Sequence, residues 1–396
     1  MGSAVIVDIV RTASGRGKPG GALSGVHPVH LLSATLAALI ERTGLDPARV
    51  DDVIAGCVGQ VGDQAGNIGR TALLTAGFPE SVPATSVDRQ CGSSQQALHF
   101  AAQGVIAGAY DIAIACGVES MSRVPMGMSA TGGSPYGPLA GRYPSGLVSQ
   151  GVSAEIIASR WKFDRAELDE FSARSHQRAA TAAASGGFDN EIIPVEVTAA
   201  DGTTSVHTRD QTVRGSTTID GLASLKPSFY DESVAARFPE IGWVITPGNS
   251  SPLTDGASAA LVMSEDMAAT LGLTPRARFR TFSVTGSDPL LMLTGVIPAT
   301  TKALAKSGLT IDDIDTYEVN EAFAPVPLAW TREFNADASK LNPRGGAIAL
   351  GHPLGGSGTR LMATMLNHLE ATGGRYGLQT MCEGGGMANA TIIERI

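Results

Sequence analysis

Two passages of this chain hold groups able to do covalent acyl chemistry. Ser86-Val-Asp-Arg-Gln-Cys91-Gly-Ser-Ser places a thiol where an extended run gives way to an Ala-rich helical one. Gly351-His-Pro-Leu-Gly-Gly-Ser-Gly358 places an imidazole, His352, in a similar turn. A thiol and an imidazole, once adjacent, form a nucleophile and its general base. A helix beginning just after Cys91 would offer free N–H groups and a partial positive charge, lowering the thiol pKa and holding an oxyanion. Pro353 restricts the backbone of His352, and an imidazole near its ordinary pKa suits proton transfer at neutral pH. The ordinary alternatives are a buried structural cysteine and a satisfied polar histidine.

Two further groups belong with these. Cys382 precedes three glycines in Met381-Cys-Glu-Gly-Gly-Gly-Met387, a poor way to pack a core and a good way to expose amide donors such as that of Gly384. Cys116 leads into Gly-Val-Glu-Ser without a glycine run, so it and Cys57 are assigned to the core. Asn320 stands in Tyr317-Glu-Val-Asn-Glu-Ala-Phe323, at the end of an apolar run. A polar Asn-Glu pair there is costly unless partnered. It would either hold a water or oxyanion or cap the next helix.

Elements that could bring these groups together recur along the chain. Cys91 and His352 are 261 residues apart (352 − 91), as are Asp51-Asp-Val-Ile and Asp312-Asp-Ile-Asp. Tyr110–Cys116 resembles Tyr376–Cys382 at an offset of 266 (376 − 110). This is the pattern of a duplicated unit, with nucleophile and base at matching turns of two half-folds. Strands are expected at 3–10, 53–58, 84–88, 111–116 and 257–263, and helices at 28–43, 66–77 and from Cys91 to about 107, from their apolar periodicities. Strands alternating with helices predict a mostly parallel sheet covered on both faces. Residues 121–146, rich in Gly, Pro, Ser and Met, break that pattern. Helical spacing returns at 153–185, and strand-like pieces follow near 192–197 and 204–208. The division expected is a first half of residues 1–118 plus 244–270, an inserted loop domain at 119–243 covering the site, and a second half at 271–396.

Composition narrows the function. With 396 residues, 43% hydrophobic and 17% charged, the chain is an ordinary globular protein with room for a large core. A formal net charge of −9 argues against nucleic-acid binding, while a local basic patch for an anionic co-substrate stays open. Apolar runs are too short for a membrane-spanning helix. The N-terminus reads as a strand rather than a signal peptide, and the Met-Gly start lacks the Ser or Thr of a myristoylation site. Four cysteines without a Cys-x-x-Cys pair suggest neither a disulfide framework nor a metal site, and fit reduced thiols in a cytoplasm.

Taken together, the Cys91, Asn320-Glu-Ala-Phe323, Gly351-His352-Pro353 and Cys382-Glu-Gly384 passages, in that order, resemble the thiolase family over essentially the whole chain. The resemblance implies an α/β fold of two duplicated βαβαβαββ halves in a five-layer αβαβα core, plus a loop domain. It implies a homo-oligomer, dimer or tetramer, with no tightly bound cofactor, using acyl-CoA and coenzyme A as substrates. By the same likeness, His352 takes the proton of Cys91, whose thiolate attacks a 3-oxoacyl-CoA. Cys382 protonates the departing acetyl-CoA carbanion and then deprotonates coenzyme A. One oxyanion site uses His352 and a water on Asn320, the other the amides of Cys91 and Gly384. Coenzyme A contacts map onto Ser251, in Pro247-Gly-Asn-Ser-Ser251, and onto Arg214, before the Leu225–Phe229 block; Phe323 is placed with them.

Departures from the family pattern are Asp88, Ser94 and Ala388, none of which removes a reacting atom. Ser149-Gln-Gly stands where acetoacetyl-CoA thiolases carry His-Met-Gly, and Tyr230–Trp243 is longer than in those enzymes. Both border the acyl pocket, so the expected reaction is degradative thiolysis of a longer or bulkier substrate, such as a sterol side chain, with biosynthetic acetoacetyl-CoA thiolysis as the alternative. A ketoacyl synthase would carry a second His in place of Cys382. A cysteine protease would not explain the repeat. A non-catalytic acyl-CoA carrier would have lost Cys91, His352 or Cys382.

Overall fold

The computed structural model of the chain describes residues 3–199 and 201–396; Met1, Gly2 and with them the Met-Gly start lie outside the described residues. The first half runs β1 (Ala4–Thr12), α1 (Pro28–Thr43), β2 (Asp52–Gly56), α2 (Ile68–Thr75), β3 (Ala84–Val87), α3 (Ser93–Ile106) and β4 (Ile112–Ser120). The chain then leaves through α4 (Gln150–Trp161) and α5 (Arg165–Ala184) and returns in β5 (Thr254–Ser264). The second half has β6 (Ala277–Gly286), α6 (Val296–Ser307), β7 (Thr316–Val319), α7 (Pro325–Phe334), α8 (Ser357–Thr372), β8 (Tyr376–Glu383) and β9 (Met387–Arg395).

These nine strands lie in the order β7-β8-β9-β6-β1-β5-β4-β2-β3, so two similar half-sheets meet where β1 and β6 pair antiparallel. The expected mostly parallel sheet is corrected to a mixed one. β2 pairs parallel with β3 and β4, and β7 with β8, but β5 and β9 run antiparallel to their neighbours. For β9 the physical reason is connection length. β8 and β9 are joined by a tight turn through Gly385 (φ 83°) and Gly386 (φ 80°), which can only make a hairpin.

Burial divides the molecule into five layers. On one side of the first half-sheet, Leu32, Leu36 and Leu39 of α1 and Leu73 of α2 pack on Val10, Val53, Ile114 and Leu261. Its other side, with Ile6, Ile54 and Val262, meets Leu98 of α3 and Met362 and Leu366 of α8 in a shared central layer. The far side of the second half-sheet buries Val319, Leu378 and Ile392 under α6, α7 and α4. Strand β4 is buried throughout, which explains its unbroken Ile-Ala-Ile-Ala-Cys run.

The duplication stands, but its register shifts. Ser93 and Ser357, which open α3 and α8, are 264 residues apart (357 − 93), and so are the first residues of β2 and β7 and of β4 and β8. Asp51 therefore matches Asp315, not Asp312. Asp51 Oδ2 accepts from the amides of Asp111 and Ile112, as Asp315 Oδ2 does from those of Arg375 and Tyr376. Cys91 precedes its helix by two residues and His352 by five, because the turn Leu354–Gly356 intervenes. Nucleophile and base are not on strictly equivalent positions.

The inserted segment is tied to β1 by a buried ion cluster. Arg11 Nε lies 2.6 Å from Glu191 Oε1, and its Nη1 2.8 Å from Asp210 Oδ1, with all three side chains almost wholly buried. Removing the cation would strand two buried carboxylates. Arg11→Met is expected to cost about 3–5 kcal/mol in urea denaturation; a loss under ~1 kcal/mol would show the cluster to be dispensable.

Candidate active site

Cys91 sits between β3 and α3, in a turn whose geometry the local sequence dictates. Asp88 Oδ1 accepts from the amide of Gln90 at 2.7 Å, and Ser93 Oγ accepts from Arg89 N and donates to Gln90 O. Gln90 is held at φ 48°, a strained conformation for a residue with a side chain. Asp88, where the family pattern has Asn, still closes this turn. The resulting corner aims Cys91 into the interior, where it is 5% exposed.

His352, from the second half, is buried as well. Its amide donates to Thr254 Oγ1 at 3.0 Å. Its Nδ1 lies 2.6 Å from Ser357 Oγ, which donates its single proton to Pro353 O at 2.8 Å. Ser357 must then accept from Nδ1–H, so the neutral ring keeps its lone pair on Nε2. Asn320 Nδ2 stands 3.3 Å from that Nε2. Asn320 does not cap α7, whose N-cap is Ala324; its Oδ1 is buried without a partner among the described residues.

Close approach of the halves depends on glycine. A Cβ on Gly355 would lie 2.5 Å from Val118 O and 2.6 Å from Gly56 O, so the His352 loop lies directly on the ends of β2 and β4. Glu119 locks it there: its carboxylate accepts from the amides of Val58, Gly59 and Gly355 and from Gln64. Ser94, where the family pattern has Gly, accepts from Thr359 N at 3.1 Å and ties the starts of α3 and α8 together.

Cys382, the residue before the last of β8, is fully buried, and burial together with a thiolate at Cys91 would oppose its ionisation. The expected lowered thiol pKa is corrected. Burial pushes Cys91 up to about 12, with Glu383 adding to the rise, while its own amide and Gln150 pull it down. Burial likewise pushes His352 down to about 3, with Arg360 adding to the effect. The resting pair is a neutral thiol and a neutral imidazole, because desolvation outweighs the helix N-terminus. Cys57 and Cys116 are buried in the first-half core, as expected.

The outer residues are less uniformly gathered. Ser251 N donates to Ala322 O at 3.0 Å, and Ser250 bridges Phe323, so the Pro247–Ser251 segment lies along Ala322–Ala324 beside Asn320. The Phe323 ring meets that of Phe229 edge-on at 5.9 Å. Arg214 is exposed; its amide donates to His176 Nδ1, but its guanidinium makes no hydrogen bond or ion pair among the described residues. Gly384 lies beside Gln90 and Gln150, half-buried. A cavity of about 660 Å³ opens nearby, lined among others by Val148, Ser149, Val152, Phe229, Tyr230 and Val234. Both segments that depart from the short-chain pattern therefore face one cavity.

Sequence reasoning missed Ser357, Glu119 and the contact of Gln150 with Cys91. The Gly-Gly-Ser spacing after His352 was a readable signal for Ser357; the partners of Glu119 and Gln150 come from distant segments and had none.

Two family models cover the chain, the N-terminal domain of thiolase over residues 4–266 and the C-terminal domain over 273–395. The chain belongs to the thiolase family. It is 48% identical to the steroid 3-ketoacyl-CoA thiolase FadA6 of Mycobacterium tuberculosis, covering all of this chain and 95% of that one. It is 44% identical to a 3-ketoacyl-CoA thiolase of Vibrio cholerae, with both chains covered in full. The crystal structure of the Bacillus anthracis acetyl-CoA acetyltransferase superposes with a TM-score of 0.89 at 35% identity, covering 100% of this chain and 99% of that one. This thiolase is thus an acyltransferase of the duplicated αβαβα fold, in which Asn320 lies beside His352 and Cys382 beside Cys91.

Proposed function

We propose that this thiolase cleaves a 3-oxoacyl-CoA with coenzyme A, in the degradative direction, through an acyl group carried on Cys91. The observation that carries the reading is the tautomer of His352: Ser357 fixes the proton on Nδ1 and leaves the Nε2 lone pair, which faces Asn320 Nδ2, to take the Cys91 proton. The thiolate attacks the keto carbon, and the C2–C3 bond breaks. Cys382 gives its proton to the departing carbanion, which leaves as acetyl-CoA. Cys382 then takes the thiol proton of coenzyme A, whose sulfur attacks the acyl carbonyl. His352 returns its proton to Cys91. Asn320 and the protonated His352 hold one developing oxyanion, and the amides of Cys91 and Gly384 the other.

Because thiol and imidazole rest neutral, proton transfer is coupled to attack and does not leave a standing thiolate. That keeps a buried, reactive sulfur from side reactions while no substrate is bound. Coenzyme A acts as co-substrate rather than as a held cofactor. Ser251 and Phe323 line its pantetheine arm, and Arg214 reaches its phosphates. We place the enzyme in the cytoplasm as a dimer or tetramer; no helix among the described residues is long and apolar enough to cross a membrane. Residues 119–243 act as the loop domain that covers the substrate.

The substrate is longer or bulkier than acetoacetyl-CoA, with a sterol side chain as the fitting class. The cavity beside Ser149 and Phe229 and the name of the Mycobacterium tuberculosis relative support this. Each buried methylene adds roughly 0.8 kcal/mol, so kcat/KM for a steroid-sized 3-oxoacyl-CoA is expected to exceed that for acetoacetyl-CoA by ~10-fold or more. A panel from four carbons to steroid-sized, followed by loss of enolate absorbance, measures this. A preference for acetoacetyl-CoA would overturn the substrate class, and silence on every member would overturn thiolysis itself.

A further inference from the structure

Glu383, between Cys382 and Gly384, has no part in the chemistry above. Its side chain is fully buried, yet neither carboxyl oxygen has a hydrogen-bond partner among the described residues. It lies against Gly92, the residue after Cys91: a Cβ there would collide with Glu383 Oε1 and would stand 2.7 Å from Asn389 Nδ2. Only the missing side chain of Gly92 makes room for the carboxyl. A buried carboxylate without donors is strongly disfavoured, whereas a protonated carboxyl tolerates the place.

The charged and titratable groups around it come from two elements. The turn before α3 supplies Asp88, Arg89 and Cys91, and its own strand supplies Cys382; β9 presents the uncharged Asn389. A negative charge on Glu383 raises both Cys91 and Cys382, and Glu119 raises Cys91 to a lesser degree.

We propose that Glu383 is a positioning acid of this active site, a buried carboxyl whose neutral form permits, and whose ionised form withholds, thiolate at Cys91 and Cys382. The proposal rests on the thiolase reading of those two cysteines. Burial holds Glu383 up to about 8; Arg89 pulls the other way, and Asp88 adds to the rise. The neutral form therefore prevails below that pH, and the charge appears above it.

Alkylation of Cys91 by iodoacetamide, read by mass spectrometry against pH, tests this without any 3-oxoacyl-CoA. Wild type and Glu383→Gln are expected to react at equal rates below about pH 7, since both present a neutral group. Above about pH 9 the variant is expected to react about tenfold faster, because one pKa unit of opposition is a factor of ten. Glu383→Asp should restore the lag. Parallel profiles for wild type and Glu383→Gln would overturn the proposal. If Glu383→Gln does not fold, two other variants carry the test. Asp88→Asn should move the bend in the profile to lower pH and Arg89→Met to higher pH, opposite shifts that a general loosening would not produce. A bend that moves in neither would equally overturn it. Absence of thiolysis with these profiles intact would strike the thiolase reading alone.

Discussion

Cys91→Ala is expected to fold and bind acyl-CoA but to lose thiolysis by about 10⁴-fold or more. The residue is nearly buried, and alanine fits the space without disturbing the Asp88–Gln90 turn that forms the corner. On the proposed mechanism, what disappears is the sulfur that would carry the acyl group. Cys382 would serve the proton, and Ser93 Oγ is already bonded to Gln90 O. The measurement is turnover of the best substrate from the panel, together with mass spectrometry after acetyl-CoA exposure. Turnover within tenfold of wild type, or an acetyl group still bound to the variant, would remove Cys91 from its role.

Cys382→Ser is expected to slow both halves of the reaction while leaving the Cys91 nucleophile in place. A serine hydroxyl is a far weaker acid than a thiol, so protonation of the carbanion and deprotonation of coenzyme A should both fail. Losing a positioned general acid–base costs on the order of 10²–10⁴-fold. Acetylation of Cys91 by acetyl-CoA is coenzyme A attack run backwards, so it should slow by the same factor, and the acetyl-enzyme that does form should exchange slowly with free coenzyme A. Iodoacetamide should still alkylate Cys91, because His352, Ser357 and Asn320 are untouched. Acylation and exchange at the wild-type rate would assign the proton to another group.

The chemistry of this site was largely legible in the residues themselves. Thiol, imidazole, amide and second thiol each stood in a passage whose glycines and prolines marked a turn, and turns are local, short-range features. The internal repeat pointed to the halves and a change of composition to the insertion, while the family resemblance supplied the reaction. The repeat register was misread because a three-residue turn, Leu354–Gly356, hides in one copy only. Direct comparison of letters then aligns Cys91 with His352 at 261, whereas the strands and helices align at 264. The parallel sheet was overestimated for a related reason. Helix–strand alternation is visible along the chain, but whether the last strand of each half returns parallel or antiparallel depends on its partner.

Ionisation was the least legible property. A helix N-terminus predicts a lowered thiol pKa, and Cys91 does precede one. Burial reverses the sign, and the groups that meet Cys91 there, Gln150, Cys382 and Glu383, come from distant segments. Nothing in the Cys382-Glu-Gly-Gly-Gly passage marks Glu383 as a buried carboxyl without partners among the described residues, which only the packing of Gly92 against it shows.

The amino-acid sequence by itself determined which side chains are able to react, since such side chains and the turns that carry them are local. Tertiary structure alone decided their protonation and their company. Solvation and charge at Cys91, His352 and Glu383 depend on groups up to hundreds of residues distant, brought within a few ångströms only when the two halves close.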